Sequence, residues 1–332
     1  MAKFEEVGPR TPVTEGIRVD MVHPRARFWR AVQAVAVIVI AIIMLIPVYG
    51  ILSTSFKTRA DVVSVPPKIF LFEPTLEGFL FLLTDRAIIA KGGLEAFQQR
   101  EDLNWAERFM AERGMEITGL SQYTFRLRNS LIIAGLSTIA SVVLGLFAAY
   151  AFSRFNIPGK NDLLFFILST RMLPAVVVTI PLFLMYRQLN LHDTHLGMIL
   201  LYTIFNLSLA VWLLKGFIDE IPREYEEAAM IDGYSRFQAF YKIVLPQAMT
   251  GIAATTVFCL IFAWNEYAFA LMLTSDTART APPSIVSMLG RGGIEWASIA
   301  AGTLGFLIPV VIVTFALRQY LLRGVTFGAV RQ

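Results

Sequence analysis

Six apolar stretches run through this chain, near 31–53, 129–152, 163–186, 196–217, 249–274 and 299–321. A helix rises about 1.5 Å per residue, so roughly 20 apolar residues cross the hydrocarbon core of a bilayer. Each stretch is long enough and holds at most one or two ionisable residues. Inside lipid each backbone polar group must be bonded within its own segment, which makes these stretches helices. The composition agrees: 56% of the 332 residues are hydrophobic, 16% are charged and the mean hydropathy is +0.60. Soluble domains sit nearer a quarter charged. The expectation is an all-α membrane protein with six transmembrane helices.

Basic residues set the orientation, because they collect in cytoplasmic loops. Residues 1–30 carry Lys3, Arg10, Arg18, Arg25, Arg27 and Arg30 and read as a cytoplasmic tail. The run that follows is too long for the apolar core of a signal peptide and lacks a small-residue cleavage site, so 31–53 reads as an uncleaved first span. The loops at 153–162 and 218–248 and the tail 322–332 then lie inside, with Arg154, Lys160, Arg223, Arg236, Lys242, Arg323 and Arg331. The short outer loops hold Arg187, Arg279 and Arg291. The balance predicts N-in, C-in. The net charge of +4 is therefore topological and implies no nucleic acid. Residues 54–128 form an enlarged outer loop, and 129–321 a five-helix core. Within the loop, Leu94, Phe97, Trp105 and Phe109 recur at roughly helical spacing and predict a short amphipathic helix over 94–113.

Several chemistries are excluded. The single cysteine, Cys259, rules out an intrachain disulfide and a cysteine-rich metal site. His192 and His195 flank Asp193 in a short loop, a weak metal signal read as an ordinary loop. No catalytic constellation is visible. Nor is there a Gly-x-x-x-x-Gly-Lys-Ser/Thr phosphate loop, so the chain has no visible nucleotide site of its own.

Between the fourth and fifth apolar stretches lies "EYEEAAMIDGYSRFQAFYKIVLP", residues 224–246. Pro222 suits a helix start. Glu224, Glu226 and Glu227 suit the positive end of a helix dipole. Gly233 after Asp232 fits a left-handed helix terminus. Ser235 and Gln238 have the spacing of a capping box for a second helix running to about Leu245. Local chemistry thus predicts helix, glycine turn, helix. The spacing of Glu227-Ala228-Ala229, Gly233, Ile243 and Leu245-Pro246 resembles the EAA loop of bacterial ABC importer permeases. The form "EEAAMIDGYS" is similar to carbohydrate permeases of the maltose and polyol classes, as are "PLFLMYRQLNLHDTHLG", "FAWNEYAFALMLTS" and "RGVTFGAV".

The resemblance implies a type I ABC importer permease in the bacterial cytoplasmic membrane, with an enlarged periplasmic loop. It is not an enzyme. The chain would hold no cofactor, since ATP and magnesium would belong to a separate cytoplasmic ATPase dimer. A second homologous permease and a periplasmic solute-binding protein complete the implied partners, beside the lipid bilayer. Glu227, Ala228, Ala229, Gly233, Tyr234, Ser235 and Arg236 would couple to the ATPase. Polar groups inside spans are costly and usually face a pathway or a partner. Trp264, Asn265, Glu266, Asn206 and Arg171 are therefore the candidate substrate pathway for a sugar or sugar alcohol. Counted along straight helices, Arg171 and Glu266 differ in depth by roughly 15 Å, so their meeting would require a kink. The competing reading is an ion-coupled secondary transporter, which would need mid-membrane carboxylates and usually repeated halves.

Overall fold

The computed structural model describes residues 24–90, 93–98, 100, 102–287 and 295–329. The expected flexible tail up to residue 23, Arg291 and residues 330–332 lie outside them. The chain forms two compact units, one up to Gly50 and one from Ile51 onward. Helix α1, Pro24–Ser55, supplies the described residues of the first unit, 24–50, and is apolar on every face: Val35, Ile38, Ile42 and Leu45 are all exposed. Such a helix is covered by lipid or protein rather than water.

The second unit begins with α2 (Arg59–Val62) and α3 (Glu77–Leu83), then a small subdomain of β1 (Thr84–Ile88), α4 (Leu94–Gln98), α5 (Trp105–Ala111) and β2 (Met115–Leu120). The two strands pair antiparallel, Thr84 opposite Leu120, with an irregularity at Asp85/Arg86. This two-stranded pair is an addition to an otherwise helical architecture. The single helix expected over 94–113 is corrected to two short ones. Asn104 starts the second through a capping box with Glu107, and Trp105 stays exposed while Met110 and Ala111 are buried.

The transmembrane-type elements are α6 (Tyr123–Arg154), α7 (Lys160–Ser169), α8 (Ala175–Gln188) and α9 (His195–Asp219). They are followed by α10 (Glu224–Ile231), α11 (Arg236–Ala239), a wide π turn over Phe240–Val244, α12 (Leu245–Gln247) and α13 (Met249–Trp264). The chain ends with α14 (Ala268–Leu273), α15 (Ala281–Ser287) and α16 (Trp296–Ala329). Among the described residues four helices are long and apolar enough to cross a membrane, or up to six if each bent pair forms one span. The expected third span is such a pair. It breaks after Ser169, turns once through Thr170–Met172 and restarts at Ala175, bent by 93°. Pro174 drives this, since it holds Leu173 extended (ψ 125°) and lacks the N–H a continuous helix would use. The expected fifth span stops at Trp264 and resumes at Ala268. The last helix continues past the expected end at 321.

Helices α6 and α9 run parallel and form the centre. Asn129 Oδ1 lies 2.9 Å from His195 Nε2 at one end, Ser141 Oγ donates to the Thr203 carbonyl (3.2 Å) midway, and Ser153 Oγ meets Asp219 (2.5 Å) at the other. The contact face of α6 is a stripe of small residues four apart: Ser137, Ser141, Gly145, Ala149 and Ser153, all buried. Small residues let helix backbones approach where no hydrophobic effect drives them together. A Cβ at Gly145 would sit 2.6 Å from the Cβ of Ala210 and 3.2 Å from its carbonyl carbon. Gly145→Val is therefore expected to cost about 1–3 kcal/mol through overpacking. Gly135→Val, on the same helix with open space around it, is the matched control. Thermal unfolding in detergent should lower the midpoint of the first variant and leave that of the second near wild type.

Candidate functional site

The segment 224–247 is built as the local signals require. Gly233 has φ +91°, and the N–H groups of Gly233 and Tyr234 reach back to Met230 (3.1 Å) and Ala229 (3.0 Å). That double bond is the Schellman terminus, which favours glycine at its left-handed position. Ser235 and Gln238 cap α11 reciprocally. The segment presents two faces. Glu227, Ala228, Gly233 and Ser235 are exposed, together with Tyr225, Ile231 and Phe237. Ala229 and Ala239 are buried, and Phe240 and Val244 pack in one cluster with Val142, Leu146, Tyr150, Leu214 and Ile218 of α6 and α9. Tyr234 is 39% exposed with Lys242 over its ring at 4.6 Å, and Arg236 lies 5.0 Å over Phe155. Sequence reasoning gave Glu227 a coupling role and Glu226 only a place at the helix start. The latter is 5% exposed, is paired with Arg154 of α6 and accepts a 2.8 Å hydrogen bond from Tyr150. Nothing in linear spacing distinguishes these two glutamates.

A second site lies where the broken helices meet. Arg171, Tyr202, Phe205, Asn206, Phe262 and Glu266 border a cavity of about 260 Å³. The break at Thr170–Pro174 brings Arg171 and Glu266 to one cavity, as the kink argument required, although they form no ion pair. Glu266 accepts from the Tyr202 hydroxyl (2.8 Å) and from the N–H groups of Phe269 (2.9 Å) and Ala270 (3.1 Å), so it starts α14. Arg171 donates to the Phe205 carbonyl (3.3 Å) and stacks 4.1 Å over Phe262. Asn206 is buried and donates to the Cys259 carbonyl (3.0 Å). Two candidates are turned elsewhere. Trp264 is 3% exposed, stacked on Phe306 and bonded to its carbonyl (3.0 Å) in the core. Asn265 is exposed and bonds back to Ile261 (2.8 Å). Aromatic type alone did not reveal that the break after Trp264 reverses which side chains face the cavity. Tyr202, Phe205 and Phe262 were the residues missed.

At the end of the α6–α9 pair remote from residues 224–247, Asp193 (φ 55°) accepts from the N–H groups of Ser275, Asp276, Thr277 and Ala278 at 3.0–3.1 Å. Asn129 holds the carbonyls of Thr277 and Arg279 (2.9 and 3.0 Å). His195 bonds Asn129, while His192 meets Phe183 edge-on. Among the described residues no group of three His, Cys, Asp or Glu could hold a metal ion.

Residues 141–327 match the family described as the binding-protein-dependent transport system inner membrane component. A probable ABC transporter permease of Sinorhizobium fredii is 30% identical over 88% of this chain and 92% of its own length. The trehalose transport system permease of Mycobacterium tuberculosis is 38% identical over 63% of this chain and 77% of its own. A bacterial ABC transporter involved in importing the acidic polysaccharide alginate superposes with a TM-score of 0.60. It covers 90% of this chain and 98% of its own at 21% identity, which speaks to the fold.

The Asp193 clamp makes the junction acid-sensitive. Burial alone would raise its pKa, but the four N–H donors outweigh burial and hold the carboxyl below the usual range. A carboxyl depressed in the fold stabilises above its unfolded value of about 3.9 and loses this as pH falls through the folded value. Asp193→Asn is expected to lower the unfolding midpoint at pH 7. The gap to wild type should shrink below about pH 4, as unfolding followed across pH would reveal.

Proposed function

Because the chain belongs to the family of inner membrane components of binding-protein-dependent transport systems, we propose that it is the permease subunit of an ATP-driven importer for a sugar or sugar alcohol. Both of its ends face the cytoplasm, and the chain crosses the membrane six times. The observation that carries this reading is the capped helix–turn–helix at 224–247. It is rigidly seated on one side and exposes Glu227, Ala228, Ile231 and Phe237 on the other. A separate cytoplasmic ATPase subunit, one of a pair holding ATP and magnesium, docks on that exposed face. Glu227, Ala228, Ala229, Gly233, Tyr234, Ser235 and Arg236 form or shape it.

Phe237 is the main anchor. It is 68% exposed, whereas Tyr234 is partly covered by Lys242. A second homologous permease completes the membrane assembly, and a periplasmic solute-binding protein delivers the substrate to the side carrying residues 54–128. The cavity at Arg171, Asn206 and Glu266 is this chain's share of the pathway. Its aromatic walls and polar groups suit a hydroxylated ligand, and relatives that include a trehalose permease support a carbohydrate. The ion-coupled alternative is disfavoured by Glu266, whose carboxylate is occupied by three donors.

Reconstitution tests the proposal. Uptake into proteoliposomes should require ATP, the ATPase subunit and the binding protein. Uptake by this chain alone on a proton gradient would sink it. Gly233→Asp places a side chain at positive φ, at a conformational cost of about 1–2 kcal/mol, and should uncouple hydrolysis from uptake. Phe237→Ala should weaken retention of the ATPase subunit by roughly tenfold or more, the loss expected on truncating an aromatic interface anchor.

A further inference from the structure

We propose that the buried Arg154–Glu226 pair is the joint by which movement of the docking segment is delivered to α6, making Arg154, Glu226 and Tyr150 positioning residues for transport. This rests on the docking role of residues 224–247 given above. The neighbouring glutamates divide two tasks: Glu227 faces outward to the partner, and Glu226 faces inward to the bundle.

The geometry carries the division. The side chains of Arg154 and Glu226 are 6% and 7% exposed. One carboxylate oxygen takes Arg154 Nε, and the other takes the Tyr150 hydroxyl at 2.8 Å. The remaining guanidinium nitrogens are also committed, Nη2 to the Ile221 carbonyl (2.8 Å) and Nη1 to Ser153 Oγ (3.0 Å). Arg223 bonds back to the Ser153 carbonyl at 2.6 Å, and Ser153 joins Asp219, which pairs with Lys215. The last turn of α6, the end of α9 and the start of α10 are thereby tied by directed polar contacts.

The neighbouring contacts are of another kind. Phe240 packs on Tyr150 (centroids 4.7 Å) and Phe147 (5.7 Å), and apolar faces of this sort can slide. A charge-assisted guanidinium–carboxylate contact is directional. Separating it would leave two unpaired buried charges, which is strongly unfavourable. A push on the exposed face of α10 therefore reaches α6 with the two elements moving as one body. Because α6 packs along α9, and α9 supplies Tyr202 and Asn206 to the cavity, the same joint links the docking face to the pathway.

The test uses the complete transporter, with both permeases, the ATPase subunits and the ligand-loaded binding protein, in proteoliposomes. Glu226→Gln preserves shape but removes the charge. It should retain the ATPase subunit at wild-type stoichiometry, while stimulation of ATP hydrolysis by the binding protein falls roughly tenfold, the scale of one lost charge-assisted hydrogen bond. Arg154→Lys, which keeps the charge and loses the fork, should recover part of that stimulation; a purely structural role would show in assembly and leave the ratio alone. Full stimulation in an assembled Glu226→Gln transporter overturns the joint.

A measurement that does not depend on those variants folding uses spin labels at exposed Tyr225 and Leu144 in the otherwise wild-type complex. Their separation should stay constant within about 2 Å, the scale of small helix shifts, between nucleotide-free and ATP-bound states. A change of several ångströms overturns the joint. Failure of the ATPase subunit to cross-link to position 237 would instead overturn the docking role, while the label distance still reports whether α10 and α6 move together.

Discussion

The close packing of α6 on α9 is the contact on which the other elements depend. It is made by a stripe of serines, glycine and alanine repeating every four residues, with Gly145 against Ala210 at its middle. In a lipid-facing protein, apolar burial does not by itself select one helix partner, because lipid is as apolar as leucine. Close backbone approach and interhelical hydrogen bonds select it instead. Once these helices are joined, their two ends become fixed platforms. One carries the capped segment 224–247, and the other holds the Asp193 clamp.

The two platforms use the same physical device in different forms. At each, a carboxylate collects several donors from a segment distant in sequence and so fixes that segment's position. Asp193 collects four backbone N–H groups from one turn. Glu226 collects an arginine and a tyrosine from α6. Glu266 in the cavity combines a local and a distant contact: it begins α14 through the N–H groups of Phe269 and Ala270 and braces Tyr202 of α9. These acids sit at breaks and ends of helices, where unpaired backbone groups need partners. The irregular places in the bundle are therefore its most heavily bonded ones.

How much was legible in the sequence differs by element. The 224–247 cassette was readable almost to the residue, because caps and the Gly233 terminus are local chemistry. The broken third span was foreshadowed by Pro174, but the break after Trp264 was not, since it depends on where the Glu266 side chain finds its donors. The β1–β2 pair escaped the all-α reading. Its strands are short, lie 27 residues apart between Ile88 and Met115 by number, and pair only through the register observed. The small-residue stripe was present in the sequence as well, yet nothing local says which helix it faces.

The sequence by itself determined the membrane class and the capped helix–turn–helix that carries the family motif, because backbone satisfaction in lipid and helix capping act over a few residues. Tertiary structure alone decided that Glu226 points inward while Glu227 points outward. It also decided that Trp264 belongs to the core, and that Arg171 and Glu266 share one cavity. Those outcomes depend on the direction of a side chain relative to elements dozens of residues away, and on helix breaks that rotate one face against another. Adjacent residues of the same type have the same local chemistry and acquire different tasks only when a partner helix arrives.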